Sequence, residues 1–411
     1  MLRVTTLAQA TTQPRDTIWL GVSLLVVLVF GAVLGTDARP HSVFSTSALA
    51  LVVFGLAAFI TPNKFNHLGR DRALILFCAY VVAALAVTLM FSEVSGPDAL
   101  NASLALTGFA AAYVAAASLC DTCRTRLLWG IAALVSVLGV YGLVAHQMPE
   151  LYLAKKIYNH HAVTATFINP NHLATLLGFG SVAALALLLS DTRPNARAAI
   201  FLAVCLYALL QTGSRAGLAA TLLGLSSVLL LRVWRRGVSI SFSRGTLLAA
   251  GLISLLIVSA IGLASVTGER FANLAAEAPI RLALYGDVIS AVASAPVTGY
   301  GIGSFEGAFR MLQSEAVNMD RAWLSAHSAP LETLFETGVI VFLLPFAAFI
   351  FYAKRLLIGI ERDTGPASVA ALGILATGIS HSLFDNTLSI PAVGMTFAAG
   401  LGLARSVGAP T

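Results

Sequence analysis

Charged side chains are scarce in this sequence. They make up 11% of the 411 residues, whereas apolar residues make up 58%. An average soluble domain has about 25% charged residues, so the composition excludes a chain whose main solvent is water. The apolar excess predicts an integral membrane protein.

Cysteine is also scarce, and internal repeats and low-complexity tracts are absent. Two of the four cysteines, Cys120 and Cys123, form a CxxC motif beside a predicted inner loop, where thiols stay reduced. No second pair completes a zinc site, so we interpret them as structural. Without repeats, residues 1–411 are predicted to form a single transmembrane domain with one elaborated loop at residues 267–328.

Long apolar runs follow one another almost from end to end. A helix needs about 20 apolar residues to cross a bilayer, and a membrane barrel would show shorter alternating segments instead. The sequence therefore predicts an all-α polytopic membrane protein with about 12 transmembrane helices. They lie near residues 17–34, 45–60, 73–91, 100–119, 127–146, 171–189, 198–211, 216–231, 245–266, 329–352, 368–379 and 388–403.

Lys and Arg are distributed unevenly between the predicted loops. With the N-terminus inside, most of the 25 basic residues fall in inner loops, in agreement with the positive-inside rule. Both termini are then cytoplasmic, and the large loop lies on the outer face. The same distribution accounts for the net charge of +6, so no nucleic-acid partner is expected.

The large loop contains two segments whose interpretation stays open. Alternate glycines at residues 299–303 predict a turn that brings backbone close to a ligand or to another helix. Helical spacing at residues 280–294 predicts an amphipathic helix, which either lies on the membrane surface, caps a cavity or packs on the bundle. Its predicted apolar residues are Leu282, Tyr285, Val288, Ile289 and Val292.

His327 lies where the loop enters the next span, and Glu332 and Glu336 follow it. An imidazole at this interface is a candidate proton acceptor near neutral pH, although a lone histidine is more often structural. Carboxylates at the start of a membrane helix are costly unless they face a cavity or a partner.

Two arginines lie at predicted outer helix ends. Arg215 occupies a short turn between two spans, and Arg281 begins the amphipathic helix. A guanidinium group binds phosphate oxygens in a bidentate manner and keeps its charge when partly desolvated. Snorkelling or helix-end capping is the commoner role of an isolated arginine.

Further polar residues cluster in two other outer segments. His381 and Asp385 lie on the last outer turn and are candidates for the same cavity. The segment at residues 155–172 could bind sugar or phosphate, and its histidines match no standard metal-ligand spacing. Its candidate substrate-binding residues are Lys155, Lys156, His161, Asn169 and Asn171.

Four motifs, taken in order, resemble the O-antigen ligase and polymerase superfamily of bacterial inner membranes. They are Phe-Ile-Asn-Pro-Asn-His-Leu-Ala (167–174), Thr-Gly-Ser-Arg-Ala-Gly (212–217), Gly-Tyr-Gly-Ile-Gly-Ser-Phe (299–305) and Ala-His-Ser-Ala-Pro-Leu-Glu with a following Glu-Thr-Gly (326–338). Each is weak alone, but the ordered set is fairly specific and covers about residues 152–344. One departure is Ser328, because many relatives have Asn after the histidine.

The resemblance implies an inverting, metal-independent glycosyltransferase without a cofactor. Its donor would be an undecaprenyl-diphosphate-linked glycan on the periplasmic side, held by Arg215 and Arg281. His327 would activate the acceptor hydroxyl, and Tyr300 and Glu332 are further candidate substrate contacts.

Alternatives remain within and beyond this family. A ligase would use a lipid A-core acceptor, a polymerase would join lipid-linked repeat units, and a third group glycosylates protein. We slightly favour the ligase, because the outer loop is single and compact. A lipid or solute transporter would also have about 12 spans, but it would usually show paired repeats, which this sequence lacks.

Overall fold

The computed structural model describes residues 14–34, 40–62, 67–92, 96–152, 162–190, 195–236, 274–317, 323–361 and 365–404. Across these ranges every regular element is helical, which confirms the all-α prediction. The α-helices are α1 (Pro14–Leu34), α2 (Pro40–Ile60), α3 (Arg72–Phe91), α4 (Gly96–Ala117), α5 (Asp121–Gln147), α6 (Pro170–Leu188), α7 (Ala196–Gln211), α8 (Arg215–Arg236), α9 (Leu274–Ser294), α10 (Phe305–Leu312), α11 (Ala329–Ile360), α12 (Pro366–Ser382) and α13 (Pro391–Gly402).

The protein is a multi-pass membrane protein. Within the described ranges, eight helices are long and apolar enough to cross a bilayer, namely α1 to α6, α8 and α11. Two more apolar helices, α7 and α13, are shorter, and the predicted span at residues 245–266 lies outside the described residues. The structure therefore supports eight of about 12 predicted spans. The 12 residues of α13 extend about 18 Å, which is too short to cross alone.

Small residues allow α6, α8 and α12 to pack closely. A Cβ atom added at Gly224 of α8 would lie 2.0 Å from Thr377 Oγ1 and 2.7 Å from Gly373 O, both on α12. Close backbone approach of this kind is typical of helix pairs in lipid, where association depends on packing rather than on exclusion of water. The backbones of α8 and α12 are thereby held close to one another.

Helix α11 is interrupted at Gly338, which has φ +69° and ψ 172°. The glycine-rich turn docks against this break: Tyr300 N donates to Phe335 O at 3.0 Å, and Gly301 N donates to Glu336 O at 2.8 Å. Backbone groups in a membrane-spanning helix need such protein partners, since lipid provides none. The prediction that this turn approaches another helix is confirmed.

Helix α9 packs its buried face against a small apolar cluster. The structure buries Leu284, Val288, Ala291 and Val292 against Phe305, Phe309 and Phe335. Of the predicted apolar face, Val288 and Val292 are buried against this cluster, whereas Leu282 and Ile289 are 69% and 56% exposed. The helix has apolar residues on several sides, so periodicity alone does not select the side that meets the cluster.

Candidate active site

His327 and Asp385 meet where the start of α11 faces the end of α12. The Nδ1 atom of His327 lies 3.2 Å from Asp385 Oδ1, and the two side chains are 25% and 2% exposed. Asp385 was predicted as a candidate for the same cavity as His327, and the structure brings the two side chains into contact. An imidazole whose Nδ1 is held by a carboxylate presents Nε2 as the free basic atom.

Asp385 is fixed by further hydrogen bonds. Asn171 Nδ2 donates to Oδ2 at 2.6 Å, and the backbone N–H of Asn386 donates to Oδ1 at 2.8 Å. Burial alone would raise the pKa of Asp385, but the hydrogen bond from His327, the nearby imidazole of His172 and the Asn171 contact outweigh it and lower the pKa. The carboxylate is therefore charged and oriented at neutral pH.

The Asn-Pro-Asn-His motif forms the start of α6. Asn169 caps the helix, since its Oδ1 accepts the N–H of Asn171 at 2.9 Å, and Pro170 takes the first helical position, where no N–H is needed. Asn169 thus caps the helix from which the Asn171 side chain reaches Asp385.

The backbone at His327 is strained, and contacts from Tyr285 and Trp323 hold this residue. Its φ of +49° lies in the left-handed region, which non-glycine residues rarely adopt. The Tyr285 hydroxyl donates to His327 O at 3.1 Å, and the Trp323 ring meets the imidazole edge-to-face at 5.7 Å. Strained residues persist where surrounding contacts hold them, often at functional sites.

Glu332 connects the segments that carry the histidine and the aspartate. Its Oε2 accepts the N–H of Ala326 at 2.8 Å, and its Oε1 accepts Asn386 Nδ2. Ala326 immediately precedes His327, and Asn386 immediately follows Asp385. Glu332 thus links the residue before His327 to the residue after Asp385.

Glu336 binds the end of the glycine-rich turn, because its Oε1 accepts the N–H of Phe305 at 3.3 Å. The expectation that both carboxylates near the start of α11 have partners is confirmed.

Both predicted arginines lie on elements that meet this site. Arg281 is one turn before Tyr285 on α9, and the Tyr285 hydroxyl contacts the His327 backbone. Burial raises the pKa of Tyr285, the positive charge of Arg281 opposes this shift, and the charge of Asp385 adds to it. Arg281 thus lies on the helix whose Tyr285 hydroxyl contacts the His327 backbone.

Arg215 is the first residue of α8. Two residues on, a Cβ at Gly217 would lie 3.2 Å from His381 Cε1, and the His381 Nδ1 atom lies 2.7 Å from Thr175 Oγ1. The first turn of α8, which contains Arg215, therefore packs directly against His381 of α12. His381 lies four residues before Asp385 in sequence.

Residues 199–346 match the family model described as O-antigen ligase. This match supports membership of the O-antigen ligase superfamily. No curated protein matches the chain. The matched segment contains Arg215, Arg281, His327 and Glu332. Asn171 and Asp385 lie outside it, so the fold completes the site with residues that the matched segment does not include.

The remaining predicted substrate-binding residues are Lys155, Lys156, His161 and Tyr300. Lys155, Lys156 and His161 lie outside the described residues. The hydroxyl of Tyr300 donates to Ala291 O at 3.1 Å, and its ring stacks on Phe335 at 4.6 Å, so Tyr300 is engaged within the loop cluster.

Three contributors to the site were not singled out from the sequence. They are Asn386, Trp323 and the hydroxyl of Tyr285. Of these three, only Asn386 could have been found from the sequence, since it directly follows Asp385 on the predicted outer turn.

Proposed function

We propose that this protein is an O-antigen ligase-type inverting glycosyltransferase. It transfers a glycan from undecaprenyl diphosphate to a lipid A-core acceptor on the periplasmic face of the inner membrane. The observation that carries the proposal is the contact between His327 Nδ1 and the buried carboxylate of Asp385, on a helix junction that the Arg215 turn and α9 also border.

In this proposal His327 is the general base. Asp385 holds Nδ1 in its protonated form, so Nε2 takes the proton of the acceptor hydroxyl as that oxygen attacks the anomeric carbon of the donor sugar. The buried aspartate also stabilises the imidazolium that results. A base of this kind contributes about 10²- to 10⁴-fold in rate.

The two arginines hold the leaving group. When the bond between the anomeric carbon and the phosphate oxygen breaks, its electron pair stays on the diphosphate, where negative charge accumulates. Fixed guanidinium groups stabilise that charge more in the transition state than in the ground state. The position of Arg215 at the start of α8 supports this role, because a helix N-terminus itself favours bound phosphate.

Glycan transfer by purified protein tests the proposal. Wild-type protein, given an undecaprenyl-diphosphate-linked glycan and lipid A-core, should release undecaprenyl diphosphate and form glycosylated core. His327→Ala, Arg215→Ala and Arg281→Ala should abolish transfer while the proteins still insert. Arg310, exposed on α10 of the same loop, provides the matched control, and Arg310→Ala should retain activity.

Complementation of a strain that lacks the gene separates the alternatives. Bare core with accumulated lipid-linked polymer, restored by wild type, indicates a ligase. A single repeat unit on the core indicates a polymerase, and an intact lipopolysaccharide ladder with lost exopolysaccharide indicates an enzyme of secreted polymer. Normal transfer by Arg215→Ala or Arg281→Ala would remove that arginine from the diphosphate site.

A further inference from the structure

A second polar region lies at the other end of α11, far from His327. An open pocket of about 250 Å³ is lined there by Arg72, Phe351, Lys354, Arg355 and Ile358. Lys354 follows Ala329 by roughly 25 residues, which corresponds to about 38 Å of helix and is comparable to a full bilayer. The pocket is therefore on the opposite membrane surface from the candidate active site.

The pocket carries an excess of positive charge. Asp71 is paired with Arg355 and accepts the Tyr113 hydroxyl at 2.7 Å, so this carboxylate is already neutralised by one guanidinium. In the described part of the chain, no ion pair joins Arg72 or Lys354 to a carboxylate. Two cations thus remain available to an anion in the pocket.

The apolar residues of the pocket indicate the kind of anion. Phe351 and Ile358 are 39% and 40% exposed, and the Arg72 guanidinium lies 5.9 Å from the Phe351 ring centroid. Phe351, Lys354 and Ile358 share one face of α11, since they are three and four residues apart. Cations beside an exposed apolar stripe at a helix end suit a phosphate group attached to an acyl chain.

We propose that this pocket binds the phosphate group of an anionic phospholipid in the leaflet opposite the active site. Arg72 and Lys354 contact the phosphate, and the acyl chains lie along Phe351. Arg355 donates hydrogen bonds to Asp71 and to the Tyr113 hydroxyl and forms part of the pocket wall. The proposal is independent of glycan transfer, because it concerns the other surface of the membrane.

Native mass spectrometry of the full-length protein in detergent tests this site. The protein is titrated with phosphatidylglycerol or with phosphatidylcholine. Each basic residue near a bilayer surface contributes roughly fivefold to affinity for anionic lipid, so Arg72→Gln with Lys354→Gln should weaken phosphatidylglycerol binding about 25-fold. Phosphatidylcholine binding should not change. The charge-conserving pair Arg72→Lys with Lys354→Arg should bind as wild type does.

The matched control removes two exposed cations elsewhere on the same predicted side, Arg126 and Arg197. Arg126→Gln with Arg197→Gln should retain wild-type phosphatidylglycerol binding. An equal loss in this control would overturn the proposal, since binding would then follow total surface charge. Equal binding by wild type and the pocket variant would also overturn it. Displacement of the lipid by an equal concentration of inorganic phosphate would show that the pocket takes free phosphate and would overturn the lipid assignment.

Discussion

The carboxylate of Asp385 accepts hydrogen bonds from Asn171, from the N–H of Asn386 and from His327. Asparagine at this position keeps one acceptor oxygen, so at least one donor would face an N–H group instead. We expect Asp385→Asn to lower glycan transfer about 10²-fold or more, measured with purified protein. Asp121→Asn, at an exposed aspartate that is 3.7 Å from Arg124, is the control and should be fully active. Near-normal transfer by Asp385→Asn would contradict the role of a carboxylate behind His327.

The lowered pKa of Asp385 predicts how stability depends on pH. A carboxyl group with a depressed native pKa stabilises the fold at pH values above its unfolded pKa of about 4, and this contribution is lost as pH falls through the lower native pKa. Between pH 5 and 8 the contribution should therefore be constant. From pH 8 down to pH 5 the difference in melting temperature between wild type and Asp385→Asn should not shrink. A difference that shrinks steadily from pH 8 to 5 would mean that Asp385 takes up a proton there.

Glu332 was predicted as a substrate contact, and its hydrogen bonds to Ala326 and Asn386 favour a positioning role instead. We expect Glu332→Ala to lower kcat about tenfold to 100-fold with little change in KM for the donor, because the His327–Asp385 pair would be misplaced. Glu306→Ala, at an exposed glutamate of α10, should behave as wild type. A selective rise in KM with unchanged kcat would return Glu332 to substrate binding.

Individual residues differed in how well the sequence predicted them. The chemistry of His327 and Asp385 was visible, because ionisable side chains are rare within apolar membrane segments and stand out beside them. Their contact was not visible, since it joins two loops separated by two complete helices, α11 and α12. The links made by Asn386 and Tyr285 depend on side-chain direction, which composition and spacing do not specify.

At the scale of elements, the break in α11 gives a direct test. Gly338 has φ +69°, and a Cβ there would lie 2.4 Å from Val297 O. We expect Gly338→Ala to destabilise the protein by about 1–3 kcal/mol, seen as a lower melting temperature in detergent. Gly286, inside α9, has no atom within 4 Å of an added Cβ, so Gly286→Ala should be neutral or slightly stabilising. Equal melting temperatures for Gly338→Ala and wild type would show that the break is not required.

Helix limits were predicted well where apolar runs were long and bounded by charge or proline, as for α1 and α3. Helix α11 begins where it was predicted to begin but ends eight residues later, at Ile360. The sequence did not reveal the interruption of α11, because a single glycine is common in membrane helices. It also did not reveal that α13 is short. Both features depend on partners that are distant in sequence: the glycine-rich turn covers the break, and neighbouring helices bury all of α13.

At the scale of the whole molecule, the orientation in the membrane remains a prediction from basic residues, and cysteine labelling can test it. With the four native cysteines replaced by serine, we would introduce Glu315→Cys in the exposed part of the loop and Lys354→Cys at the opposite end of α11. A membrane-impermeant maleimide should label the first in intact spheroplasts and the second only after permeabilisation. Arg126→Cys should behave like Lys354→Cys, because both lie on the predicted cytoplasmic side. The reverse pattern would place the His327–Asp385 pair in the cytoplasm, where a periplasmic glycan could not reach it.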